Sequence, residues 1–69
     1  MATNEYLKRY ADKYVGELMR GWCFEDQLAL PSDIAANINA GTIKTRLGVK
    51  AYCKWWIEKR KELYKAKEL

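Results

Sequence analysis

The chain has 69 residues, which is enough for one small domain, residues 1–69, with one modest hydrophobic core. It contains no histidine, and it lacks a Gly-rich phosphate loop and a set of cysteines at metal-binding spacing. These absences argue against an enzyme, and against a cofactor, a bound metal or a small-molecule substrate.

Charge is distributed unevenly along the chain. The formal net charge is +4, but residues 1–41 hold four Lys or Arg and six Asp or Glu, whereas residues 42–69 hold nine and three. The first part therefore carries −2 and the second +6, which favours an acidic partner such as nucleic acid. We expect a cytoplasmic protein without a membrane partner, because no segment resembles a signal peptide or has the length of a membrane span.

The first predicted element is an amphipathic helix over residues 4–20. Apolar side chains recur there at helical spacing, and charged side chains occupy the opposite side. Thr3 or Asn4 is suited to cap its start, and Gly21 is suited to follow its end.

Residues 22–31 are predicted to form a loop with at most one helical turn. Pro31 disfavours helical geometry at the residue before it, which argues against a helix through this segment. Glu25 and Asp26 are adjacent acids in the segment, and we expect both to be solvated.

A short second helix is predicted over residues 33–40. Ser32 is a favourable N-cap and Gly41 a favourable stop. Residues 42–47 then form a third short element, capped by Thr42. Its apolar residues lie out of phase with those that follow, so we expect a break at Gly48.

Residues 34–48 combine an Ile-Ala pair, Ile34 and Ala35, with a later GTIKTRL segment, residues 41–47. This combination resembles the helix-turn-helix of bacterial response regulators and sigma factors, although the spacing is two residues shorter. The resemblance implies that the major-groove contacts come from Thr42, Lys44, Thr45 and Arg46. The alternative interpretation is a capped connector between two helices.

The last element is a long amphipathic helix over residues 49–69, without an internal Gly or Pro. Trp55 and Trp56 point about 100° apart on it, so one indole is expected to face a partner rather than the protein's own core. Arg60 lies within the apolar face, where its guanidinium either stacks on an aromatic ring or reaches out to water.

These elements predict an all-α fold, a small bundle of three to four helices with a long C-terminal amphipathic helix. We expect Cys23 and Cys53 to be reduced and buried. The predicted core comprises Leu7, Tyr10, Tyr14, Leu18, Trp22, Leu30, Ile34, Ile38, Leu47, Tyr52, Trp56 and Leu63.

Two functional hypotheses follow from the basic, aromatic C-terminal half. The first is a small non-enzymatic regulator that binds nucleic acid, DNA rather than RNA. Its predicted phosphate contacts are Lys44, Arg46, Lys50, Lys59 and Arg60.

The second hypothesis is a protein-binding modulator, an inhibitor or accessory subunit of the bacteriophage or bacterial type. Its predicted contacts are Tyr52, Trp55 and Trp56, residue types that are common in interface hot spots. Charge places the nucleic-acid hypothesis slightly ahead. A long helix with aromatic groups on two sides also favours a homodimer.

Overall fold

The computed structural model describes the backbone of residues 3–68 and the side chains of residues 3–66. Within that range the protein is all-helical and has three packed helices, which confirms the predicted all-α class. Helix α1 spans Asn4–Leu18, α2 spans Phe24–Ala40 and α3 spans Arg46–Glu68.

Helix α1 begins where the sequence predicts and ends slightly earlier, at Leu18. The Thr3 hydroxyl accepts a hydrogen bond from the backbone N–H of Tyr6 at 3.1 Å, which satisfies one of the unpaired donors of the first turn. The buried side chains of this helix recur every four residues: Leu7, Ala11 and Val15. Helix α1 therefore turns one narrow stripe of mainly aliphatic side chains to the core.

The loop predicted for residues 22–31 is wrong, because residues 24–31 form the first half of helix α2. Pro31 lies inside the helix, and Ser32 is an interior residue and not an N-cap. Leu30, Ile34 and Ile38 are buried at four-residue spacing on both sides of the proline. Burying this continuous stripe outweighs the local preference against helix before proline.

Helix α2 ends at the predicted residue. Gly41 follows it with φ of 83°, and its N–H bonds back to the carbonyls of Asn37 and Ile38. This left-handed conformation strains a residue with a Cβ atom, and glycine adopts it without that strain.

The predicted break at Gly48 is absent, because α3 already begins at Arg46. The Thr45 hydroxyl accepts a hydrogen bond from the N–H of Gly48 at 3.1 Å, so Thr45 caps this helix in place of Thr42. Residues 41–45 form a connector without a helix of their own, and the predicted separate element over residues 42–47 is wrong. Five of the seven residues in the segment that resembles a recognition helix, residues 41–45, therefore lie outside any helix.

The core is formed mainly by small and aliphatic side chains. Among the predicted core residues, five are buried: Leu7, Leu30, Ile34, Ile38 and Trp56. Four aromatic residues are half-buried against them: Tyr10, Tyr14, Trp22 and Tyr52. The prediction was wrong for Leu18, Leu47 and Leu63, which are exposed. Cys53 is buried as expected, whereas Cys23 is exposed.

Helices α2 and α3 run antiparallel. The indole Nε1 of Trp56 donates to Asp33 Oδ2 at 3.1 Å, while Tyr64, two turns further along α3, donates to Asp26, two turns earlier on α2. Helix α3 has 23 residues and is therefore about 34 Å long, longer than either partner helix. Its residues 61–66 are all exposed, so its last turns extend along the outside of the bundle.

Candidate binding surfaces on the C-terminal helix

The two neighbouring tryptophans of α3 have opposite environments. Trp56 is 6% exposed, and its ring lies 6.4 Å from that of Trp22, whereas Trp55 is 53% exposed. Val49, Cys53 and Trp56 lie on the buried side of α3, and a rotation of about 100° moves Trp55 off that side. One indole therefore faces solvent, and Trp56 is not available as a partner contact.

An aromatic flank runs along one side of α3, next to α2, and consists of Tyr52, Trp55, Lys59 and Leu63. The rings of Tyr52 and Trp55 pack with centroids 5.7 Å apart and planes tilted by 44°. Burial, with a further contribution from the charge of Asp33, raises the pKa of the Tyr52 hydroxyl above its ordinary value. Leu63 is 55% exposed, so the flank offers solvent an indole and an aliphatic side chain within about two helical turns.

A basic flank runs along the opposite side of α3, facing α1, and consists of Arg46, Lys50, Lys54 and Lys61. All four side chains are exposed. Their positions along the helix fall within an arc of about 80°. None of the four has a carboxylate within salt-bridge distance among the side chains of residues 3–66, where only Lys59 and Arg60 form ion pairs.

Glu58 and Glu62 separate the two flanks. Helical rotation places both of them on the exposed arc between Lys54 and Lys59. A polyanion that follows the basic flank would meet these carboxylates before it reached Trp55. The arrangement therefore favours two distinct surfaces over one combined surface.

The five cations predicted to bind phosphate do not converge on one surface. Arg46 and Lys50 belong to the basic flank, and Lys44 is exposed in the connector that precedes it. Lys59 lies about 180° from Lys50 around the helix, and its ammonium is 3.8 Å from Glu62. The fifth cation, Arg60, is half-buried and contacts Asp26 of α2.

Arg60 stacks on a ring, which is one of the two arrangements that its position allows. Its guanidinium carbon lies 4.4 Å from the centroid of the Trp56 ring, and its Nε lies 3.6 Å from Asp26 Oδ1. The guanidinium is therefore held from both sides by α3 and α2.

A buried carboxylate cluster around Asp26 was missed by the sequence analysis, which expected this acid to be solvated. Asp26 is 4% exposed and accepts hydrogen bonds from the Tyr64 hydroxyl and, at 3.2 Å, from the Cys23 thiol. The bond to Asp26 raises the pKa of the Tyr64 hydroxyl. Glu25, in contrast, is exposed as expected.

The signal for this cluster was present in the spacing of α2. Asp26 lies four residues before Leu30 and so continues the stripe that buries Leu30 and Ile34. A carboxylate in that stripe requires donors from a facing helix, and Arg60 and Tyr64 supply them.

Neither a metal site nor a membrane span is found among the described residues. No group of three His, Cys, Asp or Glu side chains lies close enough together there to hold a metal ion. No helix within residues 3–68 is both long enough and apolar enough to cross a bilayer. Comparison with known proteins adds no relative, because no family model, curated protein or solved structure matches the chain.

Proposed function

We propose that this protein is a small non-enzymatic regulator that binds nucleic acid through the basic flank of α3. The observation that carries the proposal is the row of four exposed cations without carboxylate partners among the described side chains: Arg46, Lys50, Lys54 and Lys61. Unpaired Lys and Arg on one face of a helix are the electrostatic footprint of phosphate binding.

The dimensions of the basic flank support contacts with several phosphates. Arg46 and Lys61 are separated by about 22 Å along the helix axis. Phosphates of one duplex strand succeed one another every 3.4 Å or so along the DNA axis, so the flank spans several of them.

The proposal leaves out two cations that the sequence favours. Arg60 is engaged by Asp26 and by the ring of Trp56, and freeing it for a phosphate would leave the buried carboxylate without this partner. Lys59 lies on the aromatic flank and pairs with Glu62.

The test is the salt dependence of binding, followed by fluorescence anisotropy with labelled duplex DNA, single-stranded DNA and duplex RNA. Four phosphate contacts on a duplex predict a slope of log K against log salt of about −3.6, which lowers the affinity about 150-fold between about 50 and about 200 mM salt. Replacing all four basic-flank residues by Gln should remove most of this slope.

A matched control removes the same charge elsewhere, by replacing the exposed residues Arg9, Lys13, Arg20 and Lys59 with Gln. This variant should keep most of the affinity and of the slope. The proposal is wrong if the two quadruple variants, both shown by circular dichroism to be folded, bind equally, or if the unmodified protein shows no salt-dependent binding to any of the three nucleic acids.

A second candidate function is docking on a larger protein through the aromatic flank. It is supported by the exposure of Trp55 and Leu63 on a side of α3 that the basic flank does not use. Exposed aromatic anchors of this kind dominate the energy of many interfaces. Trp55→Ala should release a partner captured from nuclease-treated lysate, while Tyr6→Ala, which alters an exposed tyrosine on α1, should retain it; retention by both variants would refute this candidate.

A further inference from the structure

A groove of about 590 Å³ lies between α1 and α3. Its apolar lining comes from Tyr14 and Leu18 of α1 and from Leu47 and Ile57 of α3. Three lysines of the basic flank also line it: Lys50, Lys54 and Lys61. We refer to this feature as the α1–α3 groove.

The groove contains apolar surface that the fold leaves exposed to water. Leu47 is 76% exposed and Leu18 is 39% exposed, although both lie beside half-buried residues that reach the core. Burying exposed leucine side chains is favourable, so an apolar occupant would bind the groove more tightly than a purely polar one. Phosphates would contact the lysine heads and leave the leucines uncovered.

The three lysines determine the charge of that occupant. Lys50, Lys54 and Lys61 are four and seven residues apart on one side of α3, and Glu58 is the one acidic residue among the described residues that line the groove. The lysines have no carboxylate partner among the described side chains. An occupant that presents both apolar side chains and carboxylates therefore complements this lining.

The residues that line the groove extend along α3 from Leu47 to Lys61, about 21 Å, which is the length of about four turns of a helix. A helix laid along α1 and α3 would pack 8–10 Å or so from each axis and complete a four-helix arrangement. Acidic side chains at spacings of four and seven residues on that helix would face the three lysines.

A second copy of this chain supplies the apolar part of such a helix but not the charge. The outer face of α2 exposes Phe24 and Leu28, four residues apart, with only Glu25 as an acid beside them. One carboxylate faces three lysines in that pairing, so the complementarity is incomplete.

We therefore infer that the α1–α3 groove binds an acidic amphipathic helix of another protein. This helix and nucleic acid would compete, because both use Lys50, Lys54 and Lys61. The competition rests on the proposed nucleic-acid binding, whereas docking in the groove does not.

The experiment is a titration of the ¹⁵N-labelled protein followed by two-dimensional NMR. The probe is a synthetic peptide of about 20 residues with leucines at helical spacing and glutamates on both borders of the leucine stripe. The controls are the same peptide with Gln in place of Glu and a peptide of the same composition in scrambled order. Amide shifts are expected around Leu18, Leu47 and Lys50 with the acidic amphipathic peptide, and affinity about tenfold lower with each control.

Two leucine substitutions provide matched variants. Leu47→Ser removes exposed surface from the groove, and Leu28→Ser removes exposed surface from the far side of α2. We expect Leu47→Ser to weaken peptide binding about tenfold and Leu28→Ser to leave it unchanged. Leu47→Ser should leave nucleic-acid affinity intact, so the failure of either proposal is visible separately.

Three results would overturn the inference. The first is the absence of groove shifts at about 1 mM acidic peptide, a concentration at which half of the protein would be bound if Kd were about 1 mM. The second is equal binding of the acidic and scrambled peptides. The third is the appearance of groove shifts without peptide as the protein concentration rises, which would identify a second copy as the occupant.

Discussion

Trp56→Phe and Trp55→Phe apply the same chemical change to adjacent residues, and we expect very different effects on stability. Trp56 is buried, donates its indole N–H to Asp33 and carries the Arg60 guanidinium over its ring. Phenylalanine keeps a ring but loses the donor and part of the buried surface. Trp55 is half exposed and lies outside the core, so its replacement removes little.

The magnitude follows from these contacts. The lost hydrogen bond accounts for about 1 kcal/mol, and the smaller ring for about another 1 kcal/mol of burial and packing. We therefore expect Trp56→Phe to lower the free energy of unfolding by about 2 kcal/mol, and Trp55→Phe to change it by less than about 0.5 kcal/mol. A domain of this size has a total stability of roughly 3–10 kcal/mol, so the first change is a large fraction of it.

The assay is urea and thermal unfolding followed by circular dichroism. The expected fall in Tm is about 8–16 °C for Trp56→Phe and under about 4 °C for Trp55→Phe. Equal losses for the two variants, or a larger loss for Trp55→Phe, would refute the assignment of Trp56 to the core and of Trp55 to the surface. That result would also remove the basis for the aromatic flank.

Cys53 and Asp26 are both buried, and each leads to a prediction for denaturant unfolding. Burial raises the pKa of the Cys53 thiol from 9.0 to about 11, so the unfolded chain releases this proton at lower pH than the folded protein does. The resulting stabilisation is complete below about pH 9 and is lost as the pH rises through about 11, by up to about 2.7 kcal/mol. Denaturant unfolding across this pH range should show this fall in the free energy of unfolding for Cys23→Ala, which keeps Cys53, and a smaller fall for Cys53→Ala. Equal falls in the two variants would contradict the burial of Cys53. Asp26→Ala should destabilise the protein more than Glu25→Ala does in the same assay. Both acids lie in the first turn of α2, but Asp26, unlike Glu25, bonds to side chains of α3. Equal effects would show that the cluster does not hold the helices together.

The first half of α2 shows where local sequence rules fail. The residue before a proline avoids helical geometry in general, and this rule alone led to the loop predicted for residues 22–31. The competing signal was the stripe of Leu30, Ile34 and Ile38, which crosses Pro31 without a change of phase. Tertiary burial prevailed over the local preference, and only the stripe, followed backward to Asp26, would have indicated it.

The cations show a different limit of sequence reasoning. Spacing within α3 identifies pairs three or four residues apart, such as Lys59 with Glu62. It does not identify the partner of Arg60, because Asp26 lies on another helix and its approach depends on how α2 and α3 pack. Arg60 therefore entered the predicted phosphate-binding set for a local reason, although a distant residue engages it.

The divergence of the two indoles, in contrast, follows from helix geometry alone, since neighbouring residues on a continuous helix point about 100° apart. The same geometry separates the functional surfaces of α3. Trp55 and Lys54 are adjacent in sequence, yet they belong to opposite flanks, and Glu58 and Glu62 occupy the arc between those flanks. These carboxylates repel a polyanion bound to the lysines before it reaches the indole. A partner bound to the aromatic flank, in turn, makes no contact with the lysines. The two surfaces should consequently respond to mutation independently, so that charge removal on one leaves binding at the other unchanged.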